Sequence, residues 1–322
     1  MINRVFPSDY DYNVSLIMMR FSIFNSDTDL QSDNFLHPPE GTTPMNTIPN
    51  STEKIQLGVL GEHLPHTLSP EIHFDLLKQQ HISADFKVYE MSKTEVHHVL
   101  DVMREKNIIG MNVTIPYKET VYRMMDVLDP HAAEIGAVNT IYQKDGKFYG
   151  YNTDYIGVLS MFEKAGISLK GLDTVILGSG GAAKALIYAF HLAKASSVTI
   201  AARNKKELSH LREMFPYIST CSFKDIPDGD VIINTTPIGM YPNVGESVVD
   251  ASVIRRFRIA SDIVYNPLMT EFLRIAESRG LQIVTGLMML VDQAIGSEEI
   301  WFHKTLDYNM GNHVHDELAA RF

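Results

Sequence analysis

The stretch T-V-I-L-G-S-G-G-A-A-K-A, residues 174–185, decides the fold class. Thr174 to Leu177 form a short apolar-leaning run of the kind that fills a buried strand. The run passes directly into Gly178-x-Gly180-x-x-Ala183 and an alanine-rich segment that reads as a helix. Gly178 permits a tight turn between strand and helix, Gly180 leaves backbone N–H groups open to a bound anion, and Ala183 lets the helix lie close to the strand. Strand, glycine turn and helix in this order are the fingerprint of a dinucleotide-binding unit, with Ser179, Gly181 and Ala182 completing the loop. A glycine triplet alone is compatible with a plain tight turn; the flanking strand and helix carry the reading.

The next strand, residues 198–202, ends in Arg203-Asn204-Lys205-Lys206. An acidic residue at this point would hydrogen-bond the ribose hydroxyls of NAD, whereas cations suit the 2′-phosphate of NADP. NADP is therefore the expected cofactor, with Arg203, Asn204 and Lys205 at its phosphate. A solvated charge cluster at a helix start, in which Glu207 pairs with a lysine, accounts for the same residues.

Upstream of this unit the chain alternates. Residues 55–60, 85–89 and 108–113 read as strands, and residues 70–80, 93–105 and 116–127 show helical spacing. Residues 137–142 and 147–151 flank Lys144-Asp145-Gly146, which predicts a hairpin with the glycine in the left-handed region. A helix over residues 154–165 leads into the second unit. The fold class is α/β, with an N-terminal α/β substrate-binding domain, a Rossmann-like domain and a cleft between them.

Composition limits the function. The 322 residues are 45% hydrophobic, enough for the core of a globular, soluble chain of two domains. The formal net charge of -11 argues against nucleic acid or an anionic membrane as the main partner, since both select clustered cations. The single cysteine, Cys221, excludes an internal disulfide framework and points to a reducing, cytoplasmic compartment. No apolar run approaches the ~20 residues that span a bilayer. Near the N-terminus, acidic Asp9 and Asp11 precede the apolar patch V-S-L-I-M-M where a secretion signal would place positive charge.

Three polar-ended segments name a chemistry: G-M-N-V-T-I-P-Y-K (110–118), G-A-V-N-T (136–140) and Y-N-T-D (151–154). Each sets turn residues and polar groups at the end of an apolar run, where a strand delivers side chains to a cleft. Together they offer an amine, carboxamides, hydroxyls and a carboxylate, a set suited to a polyhydroxylated small molecule with one reacting hydroxyl.

In chain order, H-T-L-S-P (66–70), N-V-T-I-P-Y-K, G-A-V-N-T, N-T-D, G-S-G-G-A, N-T-T-P-I-G-M (234–240), D-I-V-Y-N-P (262–267) and G-L-M-M-L-V-D-Q-A (286–294) resemble the successive signatures of shikimate dehydrogenases. The resemblance covers about residues 55–303. It implies reversible reduction of 3-dehydroshikimate to shikimate with NADPH. It also implies Lys118 as the proton-transfer lysine and Asp154 as its carboxylate partner. A carboxylate alone raises the pKa of a neighbouring lysine, so either burial counteracts the aspartate or Lys118 acts mainly as a proton donor and electrostatic anchor. Read without the resemblance, Asp154 is also a favourable first residue of a helix and Lys118 an ordinary lysine near a helix start.

By the same resemblance Thr67 and Ser69 donate to the substrate carboxylate, and Ser69 also suits a helix cap. Thr114, Asn139, Tyr265 and Gln293 match positions that contact substrate hydroxyls or carboxylate. Asn112 is expected to orient the lysine loop. Ile263 and Gly286 match positions bordering the nicotinamide. The family more often has serine at Thr67, and its usual proline shortly after the first glycine is replaced by Glu62-His63-Leu64-Pro65. These departures bear on substrate preference and keep a broader quinate/shikimate dehydrogenase, able to use NAD, as an alternative. A non-catalytic shikimate or dinucleotide sensor is the alternative outside enzymology; retention of both Lys118 and Asp154 argues against it.

Residues 1–53 read as an extension outside the fold, rich in Asn, Ser, Thr and Pro over 31–52, and a start at Met45 would lose none of the motifs. Residues 54–157 are expected to form the substrate domain, completed by helices in 287–322, and residues 158–286 the Rossmann domain. No metal is expected: the thirteen histidines show no H-E-x-x-H or compact Cys/His pattern. The partner is a small molecule, and the sequence is compatible with a monomer or a homodimer.

Overall fold

The structure is a computed structural model that describes residues 54–322. The reading of residues 1–53 lies outside the described residues.

The first half runs β1 (Ile55–Gly61), α1 (Ser69–Gln79), β2 (Ala84–Glu90), a short 3₁₀ turn (Glu95–His98), α2 (Val99–Glu105), β3 (Ile108–Val113), α3 (Lys118–Tyr122), β4 (Val127–Leu128), α4 (Pro130–Ile135), β5 (Thr140–Lys144), β6 (Lys147–Tyr151) and α5 (Asp154–Lys164). Its strands form one mixed sheet in the order β2-β1-β3-β5-β6-β4. Strand β1 is parallel to β2 and β3, while β5 is antiparallel to both of its neighbours, β3 and β6. In the β5–β6 hairpin Asp145 and Gly146 have φ of 50° and 74°, the pair of positive angles that a two-residue Asp-Gly turn requires.

Register places the polar groups. Asn112 lies opposite Thr140, and Thr140 opposite Tyr151. The end of β3, the start of β5 and the end of β6 therefore share one margin of the sheet. The segments leaving that margin carry Thr114, Lys118, Asn139 and Asp154.

Two expected helices differ. The one over 93–105 opens as a 3₁₀ turn, and a capping box fixes its start: Glu95 N donates to Ser92 Oγ at 3.3 Å and Ser92 N to the Glu95 carboxylate at 2.8 Å. The one over 116–127 shrinks to Lys118–Tyr122, because Asp126 draws the chain onto β6. Phe148 N donates to Asp126 Oδ2 at 2.8 Å, Asp126 N to Phe148 O at 3.0 Å, and β4 follows parallel to β6.

The second half runs β7 (Asp173–Leu177), α6 (Gly181–Leu192), β8 (Ser197–Ala201), α7 (Lys205–Met214), β9 (Ser219–Cys221), β10 (Val231–Asn234), α8 (Ala251–Ile254), β11 (Ile259–Asp262), α9 (Glu271–Ser278), β12 (Gln282–Thr285), α10 (Leu287–Phe302) and α11 (Asn309–Ala319). Its six strands are all parallel, in the order β12-β11-β10-β7-β8-β9. Every residue of β10 is buried, as expected of a strand covered by helices on both faces. Each such Val or Ile contributes roughly 1.5–3 kcal/mol on burial. The strand order reverses between β7 and β10, the crevice where sheets of this kind bind ligands.

Helix α10 then returns to the first sheet. Trp301 Nε1 donates to Ile141 O at 3.0 Å, and a Cβ at Gly110 would lie 2.5 Å from the Trp301 ring. Gly157 of α5 lets α10 approach closely, since a Cβ there would come within 2.4 Å of Met289 O. Asp292 of α10 accepts from Ser160 Oγ at 2.5 Å and Lys164 Nζ at 3.0 Å, both from α5. Among the described residues no helix is long and apolar enough to cross a membrane.

Candidate active site

Lys118, the first residue of α3, donates to Asp154, the first residue of α5. Nζ and Oδ2 are 2.6 Å apart, and the two side chains are 14% and 5% exposed. Asp154 therefore takes both parts weighed from sequence: a carboxylate in the first turn of a helix, where the dipole favours it, and an ion-pair partner. Breaking so sheltered a pair by removing one member costs about 3–5 kcal/mol. The other Asp154 oxygen, Oδ1, accepts from Asn139 Nδ2 at 2.8 Å. Asn139 Nδ2 also donates to Gln293 Oε1 at 3.2 Å. Thus Lys118, Asp154, Asn139 and Gln293 form one connected group drawn from α3, α5, the start of β5 and α10.

Behind this group lies a buried polar chain. Thr140 Oγ1 donates to Asn139 Oδ1 at 3.0 Å and meets Ser297 Oγ at 2.8 Å, and Asn112 Nδ2 donates to Ser297 Oγ at 2.8 Å. The chain ends at His73, whose Nε2 faces Asn112 Oδ1 at 2.8 Å and whose Nδ1 faces Glu298 Oε1 at 2.7 Å. Asn112, expected to orient the lysine loop, makes its side-chain bonds to His73, Thr140, Ser297 and the Asn139 carbonyl. His73, Ser297 and Glu298 were not singled out as site residues from sequence. Local sequence carries no signal for them: in V-D-Q-A-I-G-S-E-E-I-W (291–301) Asp292, Gln293, Ser297 and Glu299 stand beside Glu298, a polar pattern that does not announce the burial they share in the fold.

The turn before α1 brings Thr67 and Ser69 together: Thr67 Oγ1 donates to Ser69 Oγ at 3.3 Å, and Ser69 N to Thr67 Oγ1 at 3.3 Å. Ser69 does not cap the helix. It is the first residue of α1, and Leu68 at the cap position makes no side-chain cap bond. The turn touches the second half of the chain. The rings of His66 and Tyr241 meet edge-on at 5.1 Å, and Tyr241 N donates to Asn266 O at 3.0 Å. Tyr265, one residue before Asn266, packs with Leu68 against the core cluster that includes Leu287 and Val291, and burial raises its phenol above the ordinary value. Thr114 follows β3, with its N–H donating to Leu60 O at 2.9 Å.

In the glycine loop, Gly178 has φ of 122°, and a Cβ there would strike Thr235 Oγ1 at 2.5 Å. A Cβ at Gly180 would meet nothing within 4 Å, so the backbone is open on that side. Ser179 and Ala182 flank this opening. Gly181 lies against the lysine: its Cβ position is 3.5 Å from Lys118 Cβ. Glu119, next to Lys118, pairs with Lys184 of α6 at 2.8 Å. Arg203, Asn204 and Lys205 stand exposed where β8 ends. Asn204 caps α7 by accepting from Lys206 N at 3.0 Å. Among the described residues Glu207 pairs with no lysine; Ser179 Oγ and Asn204 Nδ2 donate to its carboxylate. A cavity of about 410 Å³ opens among Ser179, Gly180, Lys184, Asn204, Lys206 and Glu207. A second one of about 960 Å³, over α1 and β2, contains none of the expected site residues.

Gly286 and Ile263 are neighbours, for a Cβ at Gly286 would lie 2.5 Å from Ile263 O. Beside them Asp262 is fully buried. It accepts from Asn234 Nδ2, from Val264 N at 2.9 Å and from Thr270 Oγ1 at 2.7 Å. Burial outweighs these bonds and pushes its carboxyl up to about 7.

Fold and site together define a class: a two-sheet α/β protein whose dinucleotide-type glycine loop abuts a lysine–carboxylate pair. The family model described as "Shikimate dehydrogenase substrate binding domain" matches residues 59–141. Shikimate dehydrogenase (NADP(+)) of Clostridium perfringens, strain SM101, is 40% identical over 267 residues, covering 82% of this chain and 98% of the relative. Shikimate dehydrogenase 1 of Peptoclostridium difficile superimposes with a TM-score of 0.78 at 39% identity, over 82% of this chain and 98% of that one. The Thermus thermophilus enzyme, solved in complex with NADP(H) and shikimate, gives a TM-score of 0.74 at 29% identity, over 82% and 99% of the two chains. The chain belongs to the shikimate dehydrogenase family.

Proposed function

We propose that this chain is an NADP-dependent shikimate dehydrogenase that interconverts 3-dehydroshikimate and shikimate. The observation that carries the reading is the sheltered Lys118–Asp154 pair beside the glycine loop, with Gly181 against the lysine. The residues fit a dinucleotide: the backbone at Gly180 is open, a cavity adjoins it, and cations stand at the end of β8. When bound, the nicotinamide supplies or accepts the hydride.

The chain's own groups do the rest. Lys118 delivers a proton to the carbonyl oxygen in reduction and takes it back in oxidation, and Asp154 holds the amine in place. Asn139 orients Asp154, and with Thr114 and Gln293 offers hydrogen bonds to ring hydroxyls. Thr67, Ser69 and Tyr265 donate to the substrate carboxylate. Gly178, Ser179, Gly180, Gly181 and Ala182 take the pyrophosphate, while Arg203, Asn204 and Lys205 take the 2′-phosphate. Ile263 and Gly286 leave an apolar surface for the nicotinamide. Residues 54–157 with 287–322 act as the substrate domain and residues 158–286 as the cofactor domain. The location is cytoplasmic, supported by the single free cysteine.

A broader quinate/shikimate dehydrogenase is the second reading, and Thr67, with a methyl group more than serine at the carboxylate end, favours it. Initial rates with shikimate or quinate, each with NADP or NAD, decide. Turnover mainly with shikimate and NADP supports the main reading, comparable turnover of quinate supports the second, and binding with no turnover in any pair contradicts both.

A further inference from the structure

The carboxylates of the dinucleotide pocket are not equivalent. Glu119 is neutralised by the Lys184 ammonium at 2.8 Å. Among the described residues Glu207 has no such partner: the donors that reach it, Ser179 Oγ and Asn204 Nδ2 at 2.9 Å, are neutral. Its carboxylate lines the cavity without a direct ion pair. Its position is specific. Ser179 belongs to the glycine loop after β7, and Asn204 caps the helix that follows β8. Those two segments bracket the adenosine ribose in folds of this type, where an acidic side chain reads a free 2′-hydroxyl and a cation reads a 2′-phosphate. Here both kinds of group are present: Arg203 and Lys205 stand exposed at the end of β8, and Glu207, in the first turn of α7, lines the cavity together with Lys206.

We infer that Glu207 sets the cofactor preference of this chain, resting on the dinucleotide reading proposed above. Its carboxylate accepts from a 2′-hydroxyl and opposes a 2′-phosphate. The protein therefore binds NAD as well as NADP and discriminates between them less than its cations alone would. A 2′-phosphate carries about -1.5 to -2 charges, so removing one negative charge beside it in water-rich surroundings strengthens binding roughly tenfold. Glutamine keeps the shape and an acceptor oxygen, so NAD should change by less than about threefold.

The experiment is calorimetric titration of NADP and of NAD into the full chain and into Glu207→Gln, which reads equilibrium affinity without turnover. The expected result is wild-type binding of both dinucleotides and a roughly tenfold rise in NADP preference in the variant. If wild type binds NADP and the NADP-to-NAD ratio of the variant moves by less than about twofold, or moves towards NAD, the role of Glu207 is overturned while the cofactor reading stands. If wild type binds neither dinucleotide, the cofactor reading fails and the inference with it.

Discussion

Asp262→Asn should change how stability depends on pH, because Asp262 is a fully buried carboxyl that no cation meets among the described residues. Burial raises it from 3.8 to about 7 in the folded chain. Between those values the folded state holds a proton that the unfolded state has released, so wild-type stability falls as pH rises through this window. At ~1.36 kcal/mol per pH unit, the span is worth about 4 kcal/mol. An asparagine has no proton to release there. Its oxygen can still accept from Val264 N and Asn234, and its amide can donate to the Thr270 hydroxyl, which can turn to accept. That exchange costs about 1 kcal/mol at every pH. Asp85, Glu95, Asp230, Asp250 and Glu271 have lowered values and act below about pH 4, in the opposite sense. They are common to both proteins and cancel in the difference. Urea unfolding from about pH 4.5 to about pH 8 reads that difference directly. The variant should be about level with wild type at about pH 4.5, where the wild type has already lost ~1 kcal/mol, and more stable by about 3 kcal/mol at the alkaline end. Differences that stay within ~0.5 kcal/mol across the range would refute the argument.

His73→Phe keeps an aromatic ring over Phe86, which His73 stacks at 4.2 Å, but removes the partner of Glu298 Oε1 and Asn112 Oδ1 and leaves the buried carboxylate to the neutral Gln80 amide. It should cost about 3–5 kcal/mol in urea unfolding, and a loss below about 1 kcal/mol would show that the pair is not needed. Arg203→Asp reverses a charge at the end of β8 and should weaken NADP binding roughly 10- to 100-fold while leaving NAD within about threefold. An unchanged ratio in titration would remove Arg203 from the phosphate site.

The parts of this fold that were legible in the sequence are those that local chemistry dictates. Thr174 to Ala185 had to be strand, turn and helix because only glycine takes the φ of 122° at Gly178 and the close approach of Thr235. Asp145-Gly146 had to be a tight hairpin for the same kind of reason. What was not legible depends on distant partners. Helix α3 ends early because Asp126 finds Phe148, and β4 exists only because β6 lies beside it. The support behind Asp154 joins residues separated by 185 positions at Asn112–Ser297 and by 225 at His73–Glu298, distances that no local pattern records. Ser69 shows the converse: a good cap residue by type whose hydroxyl is held by Thr67 instead.

The most direct measurement is steady-state turnover and shikimate binding by Lys118→Ala beside wild type. Lys118 is proposed to move the proton in the reaction and not only to hold substrate. The account therefore predicts kcat lower by about 10²–10⁴. Shikimate affinity by titration should stay within about fivefold. A variant that keeps near-normal kcat, or one that loses affinity in proportion to rate, would contradict it.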